Sequence, residues 1–267
     1  MTLVLTWADH DNIIHVADRR IGSIAAGKYE PRDDKASKII LAGGTLIVSF
    51  AGLAELERHR STSNWIMDQL ALEWNPNTEL GAVLQKIADK LTNLTQRRRR
   101  FRNQALRITL CGWALSDTDE VTLIAGIVTN LDSHNSIMTS FKGIAHEFPH
   151  RGGWWENGAV LPPDIRNEMI RLLRRGKRKG IGPVAIADIL LHAIRRTHRR
   201  NKTVGPTALV GILPHAEVER GRRIGTINIF TTTDGSASIS RAMLIGVPAD
   251  VKRLTAVPSH LSSYRVS

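Results

Sequence analysis

The order in which strand-like and helix-like segments follow one another constrains the fold of this chain most. Apolar runs bounded by turn residues predict strands in the first fifty residues, again from 106 to 148, and again after residue 207. Two predicted helices separate each group of strands from the next. Parallel sheets alternate single strands with single helices, so this order favours antiparallel sheets covered by helices. We expect one large α+β domain.

The first half of the chain is predicted to contain two hairpins and then two helices. The hairpin strands are expected at 2–8 and 13–17, and at 38–42 and 45–51. A polar loop is expected at 22–37, and helices at 52–73 and 78–97. The second helix has apolar residues at the spacing of one helical face: Leu80, Val83, Leu84, Ile87 and Leu91.

The second half repeats the pattern of strands followed by two helices. Strands are predicted at 106–115, 121–128 and 136–148, helices at 163–174 and 183–199, and closing strands at 207–213 and 225–232. Pro163 and Pro183 begin the two helices, because proline tolerates the first helical turn, where its missing N–H has no partner to lose.

The composition is that of a folded protein. Apolar residues make up 42% of the chain and charged residues 23%, which allows a sizeable core and excludes bulk disorder. Cys111 is the single cysteine, so an internal disulfide and a thiolate zinc site are excluded and a reducing compartment is indicated. We find no signal-peptide pattern and no apolar run near the roughly 18 residues of a membrane span, so we expect a cytoplasmic protein without a membrane partner.

The formal charge is +12, from 37 Lys and Arg against 25 Asp and Glu. The excess is concentrated in two runs, Arg97 to Arg102 and Arg195 to Lys202, each at the end of a predicted helix. Cations at that end also favour the helix dipole, which is a structural role. Aromatic residues are only 5% of the chain and no stacking motif accompanies the runs, so nucleic acid is not expected as the main ligand. An added nucleic-acid function stays open.

Two glycine-rich segments imitate nucleotide-binding motifs. Residues 22–28 have the spacing of a phosphate loop, but Tyr29 stands where a magnesium-binding Ser or Thr belongs, and Pro31 interrupts the helix that would follow. Residues 180–185 imitate a dinucleotide fingerprint, but no strand precedes them. We interpret the first as coincidence and the second as a helix start, and expect no cofactor.

The segment His146, Glu147, Phe148, Pro149, His150 has the spacing of a zinc-protease signature. That chemistry needs both imidazoles on one helical face, one turn apart. Pro149 would break that turn at a cost of about 3 kcal/mol. The alternation favours the end of a strand, and zinc proteolysis through His146, Glu147 and His150 is kept as an alternative.

Thr2 follows the initiator Met1 and is small enough for Met1 to be trimmed. Trimming would place a hydroxyl nucleophile and a free α-amino base on one residue, because an α-amino group titrates near about 7.7 to 8.0. Asp18 ends the strand that returns beside the first, and Lys38 opens the next hairpin. The spacing therefore predicts a carboxylate near Thr2.

At these residues the chain resembles the β-subunits of the proteasome and the related bacterial ATP-dependent peptidase, which are N-terminal nucleophile hydrolases. The resemblance is specific over residues 2–55, in Thr2, in Asp18 of the segment VADRR, in Lys38 of the segment DDKASKII, and in the segment IVSFAG at 47–52. Residues 105–213 match by element order and weaker local similarity. The resemblance implies that Thr2 is the nucleophile and that Asp18 and Lys38 tune its proton affinity. Lys35 is the nearby alternative to Lys38.

Three other positions correspond to the family with changes. Ser49 stands where the family has the glycine whose N–H stabilises the oxyanion, and Asn157 replaces the serine of a glycine-serine-glycine element. A family aspartate followed three residues later by serine maps onto Arg200 and Thr203, with Asn201 as a neutral neighbour. These changes put full peptidase activity in question and leave the implied fold unaffected.

The resemblance implies a four-layer αββα sandwich of two antiparallel sheets covered by helices. It implies a single such domain over residues 1–267, with 234–267 a C-terminal extension outside the resemblance. The implied function is threonine-type hydrolysis of peptide or small amide bonds, without cofactor or metal, in a homo-oligomer that could be a ring. A catalytically silent scaffold or binding subunit of the same fold is the main alternative. Rings of subunits with charge +12 would repel one another.

Overall fold

The structure is a computed structural model, and it describes residues 2–25, 28–34, 36–42, 46–57, 60–73, 79–98, 101, 103–115, 121–147, 153–215, 217–219, 222–224, 228–233, 236–238 and 244–245. Within these ranges the chain forms a mixed α+β fold with four helices. The helices are α1 (Thr62–Glu73), α2 (Leu80–Arg97), α3 (Pro163–Arg178) and α4 (Pro183–Arg200).

The strands before α1 are β1 (Leu3–Ala8), β2 (Asn12–Asp18), β3 (Ile21–Ala25), β4 (Lys28–Asp33), β5 (Ile39–Ala42), β6 (Leu46–Gly52), β7 (Glu55–Glu57) and β8 (Arg60–Ser61). Those between α2 and α3 are β9 (Leu106–Leu115), β10 (Val121–Leu131), β11 (Ile137–Glu147) and β12 (Gly153–Gly158). After α4 follow β13 (Ala208–Pro214), β14 (Glu217–Glu219), β15 (Arg222–Ile224), β16 (Asn228–Thr233), β17 (Ser236–Ser238) and β18 (Leu244–Ile245).

Two six-stranded sheets organise the described residues. The first has the order β12-β1-β2-β13-β16-β17, and the second has the order β11-β10-β9-β6-β5-β18. Every described pairing in them is antiparallel except that of β18 with β5. The prediction of an α+β fold with antiparallel sheets is confirmed. β17 and β18 belong to the segment 234–267 that was predicted to be an extension, and they pair at the edges of the two sheets.

Buried apolar side chains form three clusters, which follow from the period-two alternation of the strands. One cluster joins α1 and α2 to the second sheet, and includes Leu84, Ile87 and Val128. Another joins α3 and α4 to the first sheet, and includes Leu5 and Leu190. The third contains residues of both sheets. Because both faces of β1 are buried, its sequence is a nearly continuous apolar run.

Most predicted elements are confirmed with end shifts of a few residues. The apolar face predicted for α2 is buried at Val83, Leu84, Ile87 and Leu91, and Pro163 and Pro183 begin their helices. The imitation of a dinucleotide fingerprint leads into α4, as predicted. The imitation of a phosphate loop falls on the β3–β4 hairpin, whose residues 26 and 27 lie outside the described part.

Four segments differ from the prediction, and one of them is the short β14–β15 hairpin, where no strand was expected. The first helix does not begin at Gly52: the Ser61 hydroxyl accepts the N–H of Asn64 at 3.2 Å, and this cap sets the helix start at Thr62. The predicted loop at 22–37 contains the β3–β4 hairpin. β12 was not predicted, because its pairing with β1 joins residues about 150 positions apart and local periodicity does not report such partners.

Candidate active site

The beginning of β1 and the end of β2 lie side by side. β1 is an inner strand between β12 and β2, and Val4 stands opposite Ala17 in the antiparallel register. That register brings Asp18, the last residue of β2, next to Leu3 and hence to the residue that precedes β1. The hairpin predicted from the sequence therefore places a carboxylate beside Thr2.

Asp18 is a fully buried carboxylate surrounded by donors. Its Oδ2 accepts the Leu3 N–H at 2.6 Å, and its Oδ1 accepts the N–H groups of Arg20 at 2.9 Å and Gly205 at 3.0 Å. A buried charge needs such hydrogen bonds to offset the loss of water. The carboxylate thus ties the N-terminal end of β1 to the turn after β2 and to the segment that precedes β13.

Lys38 completes this cluster. Its Nζ donates to Asp18 Oδ1 at 3.3 Å and to the carbonyl oxygen of Arg20 at 2.5 Å, and the side chain is 2% exposed. Burial lowers the pKa of the Lys38 ammonium, and the Asp18 carboxylate opposes that change. The structure therefore brings together the aspartate and the lysine that were predicted to act together.

Thr2 is held by the strand on the other side of β1. It is 5% exposed, and its carbonyl oxygen accepts the N–H of Ala159 at 2.6 Å. Gly158 stands opposite Leu3 with φ +91°, and a Cβ built there would lie 1.9 Å from the Thr2 carbonyl oxygen. Only glycine fits this approach, so Gly158 fixes how closely β12 ends against Thr2.

Ser49 lies on β6, where its side chain is fully buried. Its hydroxyl is 3.0 Å from Nδ1 of His15, and the following N–H, of Phe50, donates to the carbonyl oxygen of Lys38 at 3.3 Å. Two residues further on, the Ala51 side chain lies 2.8 Å from where a Cβ of Gly158 would be. The predicted oxyanion position is thus on the strand that passes the Thr2 end of β12, and its hydroxyl is engaged by His15.

The two remaining predicted residues reach the cluster through their neighbours. Asn157, which precedes Gly158, is 2% exposed and donates to Thr109 Oγ1 at 3.1 Å. The Thr203 hydroxyl donates to Asn201 Oδ1 at 2.7 Å. Thr203 lies two residues before Gly205, whose backbone N–H donates to Asp18. Both residues hold segments that contact Thr2 or Asp18.

Three participants were missed by the sequence analysis. Arg20 and Gly205 act through backbone groups, which no residue type announces. A Cβ at Gly205 would lie 2.8 Å from the Cβ of Arg20, so this position requires glycine. A glycine shortly after a helix is therefore the one sequence signal that could have pointed to Gly205. His15 is fully buried, and burial lowers its pKa to about 3. Its signal is a titratable residue inside the apolar strand of residues 13–17.

The Arg200 position departs most from the pattern expected from the resemblance. Arg200 ends α4, and its Nη1 donates to Asp164 Oδ1 of α3 at 2.6 Å. Arg200 therefore forms a structural ion pair between two helices, at the position where the resemblance led us to expect an aspartate. Asn201 caps α4 and accepts the Thr203 hydroxyl, so a neutral oxygen occupies the next position.

The other candidate chemistry is placed elsewhere. His146 and Glu147 are the last residues of β11, with His146 opposite Ala125, so neither is helical; His150 lies outside the described residues. Cys111 is buried between the sheets, and burial raises the pKa of its thiol, which disfavours a nucleophilic thiolate.

The turn between β1 and β2 contains three side chains of the types that bind metal ions. Among the described residues, Asp9, His10 and Asp11 present ligand atoms within 4.8 Å of one another. Asp9 is already engaged there, because it accepts the indole N–H of Trp7 at 2.9 Å and the Asn12 N–H at 2.9 Å. This turn is at the far end of β1 from Thr2.

Comparison with known protein families and with curated proteins gives no match for this chain. None of the helices in the described ranges combines the length and apolar character needed to cross a bilayer.

Proposed function

We propose that this protein is an N-terminal threonine amide hydrolase of the proteasome-like class, with Thr2 as nucleophile. The fold assigned to it is the four-layer αββα sandwich of N-terminal nucleophile hydrolases. Two observations support that assignment: each sheet packs one face against a helix pair, and one cluster contains residues of both sheets. Peptide amides are the proposed substrate class, and small amides are the other candidates.

One observation carries the proposal: a buried lysine and a buried aspartate meet beside the residue that precedes β1. Burying two charges is costly, and replacing such a pair by apolar residues is often neutral or stabilising. A buried pair that served packing only would add little to stability at this position. Asp18 also accepts the N–H of Leu3, so the same carboxylate positions the N-terminal residue and the lysine.

The proposed reaction requires cleavage of the chain before Thr2. The Thr2 hydroxyl oxygen attacks the amide carbonyl carbon while the new α-amino group takes the hydroxyl proton. The C–N bond then breaks, the amine leaves with that proton, and an ester on Thr2 is formed. Water hydrolyses the ester and regenerates the hydroxyl. Backbone N–H groups of β6 near Ser49 are the proposed oxyanion donors.

Lys38 and Asp18 have distinct roles in this scheme. The Lys38 ammonium near Thr2 disfavours the protonated form of the α-amino group, so more of that group is free to act as base near neutral pH. Asp18 keeps Lys38 charged and in place. Asn157 and Thr203 support the segments that contact Thr2 and Asp18.

The test is intact-mass analysis of the purified protein after exposure to a β-lactone. The Thr2 hydroxyl opens the lactone ring and keeps all of its atoms, so one adduct of the full lactone mass is expected on a chain that begins at Thr2. Thr2→Ala permits the same N-terminal trimming and should give no adduct. Lys38→Met should slow labelling near neutral pH, because without the Lys38 ammonium more of the α-amino base is protonated.

Thr6→Val is the matched control, since it removes a buried threonine hydroxyl from β1, the strand that follows Thr2, at a position opposite His15 and away from Asp18. This variant should be labelled at the rate of the unchanged protein. A chain that retains Met1, or a trimmed chain that never reacts, contradicts the proposal. Equal labelling of the protein and Thr2→Ala would place the nucleophile elsewhere.

A silent scaffold subunit is the second candidate, and one observation favours it. Arg200 stands where the family has an aspartate, and its ion pair with Asp164 joins α4 to α3. A scaffold would keep the fold and the Asp18–Lys38 pair while Thr2 stays unreactive. Trimmed, folded protein that the lactone leaves unlabelled is the result that selects it.

A further inference from the structure

The positive charge of the chain is concentrated on one helical hairpin. Residues 163–202, which form α3, α4 and the turn between them, contain twelve Lys and Arg residues and three Asp and Glu residues. Their formal charge of +9 is most of the +12 of the whole chain. The charge is therefore a property of one surface more than of the molecule as a whole.

One end of this hairpin is partly neutralised by ion pairs. Where the end of α4 meets the start of α3, Arg196 pairs with Glu168, and Arg200 pairs with Asp164 at 2.6 Å. Arg166 pairs with Glu156 of β12. The sequence run Arg195 to Lys202 is thus partly used in ion pairs that hold the two helices together.

The other end of the hairpin is not neutralised. The last turns of α3 and the residue after them carry six exposed cations, of which Lys177 places its Nζ 5.9 Å from the centre of the Trp7 ring. The other five we term the basic end of α3: Arg171, Arg174, Arg175, Arg178 and Lys179. No acidic residue occurs in the sequence between Glu168 and Asp188. Within the ranges that the structure describes, none of the five takes part in an ion pair.

Four of these cations form one stripe. Arg171, Arg174, Arg175 and Arg178 follow the i, i+3, i+4, i+7 spacing of a single helical face. The opposite face of α3 is buried, and its apolar residues Ile165, Met169 and Leu173 fix the helix on the sheet. The orientation of the stripe toward solvent is therefore set by the core.

We propose that the basic end of α3 binds the phosphate backbone of double-stranded nucleic acid without base specificity. Arginine forks match phosphate oxygens through paired hydrogen bonds. Positions 171 and 178 are about 10 Å apart along the helix axis, and a duplex carries one phosphate charge per about 1.7 Å of its axis. Several phosphates thus lie within reach of one stripe. The proposal does not depend on the hydrolase proposal.

Two other acidic partners fit the stripe less well. A helix that binds a membrane surface inserts apolar side chains, but Ile165, Met169 and Leu173 of α3 face the core. A protein partner is usually held by aromatic, Met or Arg anchors around an apolar centre. Between Arg171 and Lys179 the apolar residues are Leu172, which is half-buried, and Leu173, which is buried. The surface offers charge with little apolar area, as phosphate backbones require.

The test compares two triple variants that lose the same charge. Arg171→Gln, Arg174→Gln and Arg178→Gln neutralise the stripe, and glutamine preserves helix propensity. The control neutralises three exposed cations on other elements, by Arg32→Gln, Lys86→Gln and Lys142→Gln. Binding of a fluorescent duplex of mixed sequence is followed by anisotropy between about 50 and about 200 mM salt. Thermal unfolding of each variant is measured in parallel.

The stripe variant should lower the slope of log K against log salt by about 2.7, since each lost phosphate contact contributes about 0.9. The control should keep the slope of the unchanged protein. If the stripe variant fails to fold, Arg178→Gln provides the same test with a slope change of about 0.9. Equal loss in both triple variants overturns the proposal. So does absence of duplex binding at the lowest salt, with or without binding to vesicles containing phosphatidylserine.

Discussion

His15 shows how one residue links the two sheets. It lies on β2, is fully buried, and its Nδ1 is 3.0 Å from the Ser49 hydroxyl on β6. Thr6 stands opposite it on β1. Its Nε2 and the Thr6 hydroxyl have no hydrogen-bond partner within the described part of the chain. The imidazole therefore stays neutral in the folded state, because protonation would place an unpaired charge between the sheets.

This burial predicts a specific dependence of stability on pH. Burial lowers the pKa of His15 to about 3 in the folded state, from 6.5 in a model peptide. Below about pH 6.5 the unfolded chain binds a proton that the folded chain refuses, so the free energy of unfolding falls as pH falls. The slope due to His15 approaches about 1.4 kcal/mol per pH unit between these two pKa values. Above about pH 6.5 His15 gives no slope.

His15→Gln is the variant that isolates this effect. Glutamine keeps a hydrogen-bonding group near Ser49 but does not titrate. We expect denaturant unfolding curves of the variant to lose less stability between pH 6.5 and pH 4 than those of the unchanged protein, by about 2 kcal/mol or more. Parallel profiles for the two proteins would show that His15 is not neutral in the folded state.

At the residue scale, the spacing of the first hairpin was enough to predict Asp18 beside Thr2, whereas the expectation that Lys38 joins it came from the family resemblance. The short turn between β1 and β2 brings the end of β2, at Asp18, beside the start of β1. Lys38 lies immediately before β5, the first strand of the next hairpin. The partners that complete the cluster could not be predicted. Gly205, 187 residues after Asp18, donates its backbone N–H to the Asp18 carboxylate. The carbonyl oxygen of Arg20 accepts a hydrogen bond from the Lys38 ammonium. Backbone groups are present at every residue, so no residue type marks them.

At the scale of elements, the end of β12 controls the position of Thr2. Gly158 has φ +91°, and a Cβ there would meet the Thr2 carbonyl oxygen and the Ala51 side chain. Gly158→Ala should lower the free energy of unfolding by about 2 kcal/mol or more, through backbone strain and collision together. It should also reduce labelling of Thr2, because β1 must shift to relieve the collision.

Gly180→Ala is the matched control for that change. Gly180 also has a positive φ, +65°, but a Cβ there has no atom within 4 Å. It should therefore show the conformational cost only, about 1 kcal/mol, without effect on labelling. Unfolding midpoints and labelling rates for the two variants separate strain from collision. Equal effects of the two substitutions would rule out the close approach of β12 to Thr2.

Elements with a strong local period were predictable, and elements defined by distant partners were not. The apolar face of α2 and the first-turn prolines of α3 and α4 are signals within one helix, and each gave the right element. The start of α1 was wrong because the Ser61 cap was overlooked, although it is visible in the sequence. β12 was missed because its strand character comes from pairing with β1, far away along the chain.

At the scale of the whole molecule, charge governs the predicted association. Subunits with charge +12 repel one another across a Debye length of about 10 Å at about 0.1 M salt. If the protein forms the proposed homo-oligomer, its assembled fraction should rise as salt is raised from about 50 to about 500 mM. Sedimentation velocity at constant protein concentration measures this. A fall in assembly with salt would indicate instead that opposite charges hold the subunits together.

The contacts that hold the start of β1 can form only after distant parts of the chain have been synthesised. Thr2 is bound by Ala159, and the carboxylate beside it is bound by Gly205, so its surroundings draw on residues spread over three quarters of the chain. A nascent chain on the ribosome cannot complete them until Gly205 has emerged. Thr2 is thus among the first residues to be made and among the later ones to be organised, and a translation product that ends before Gly205 leaves its surroundings incomplete.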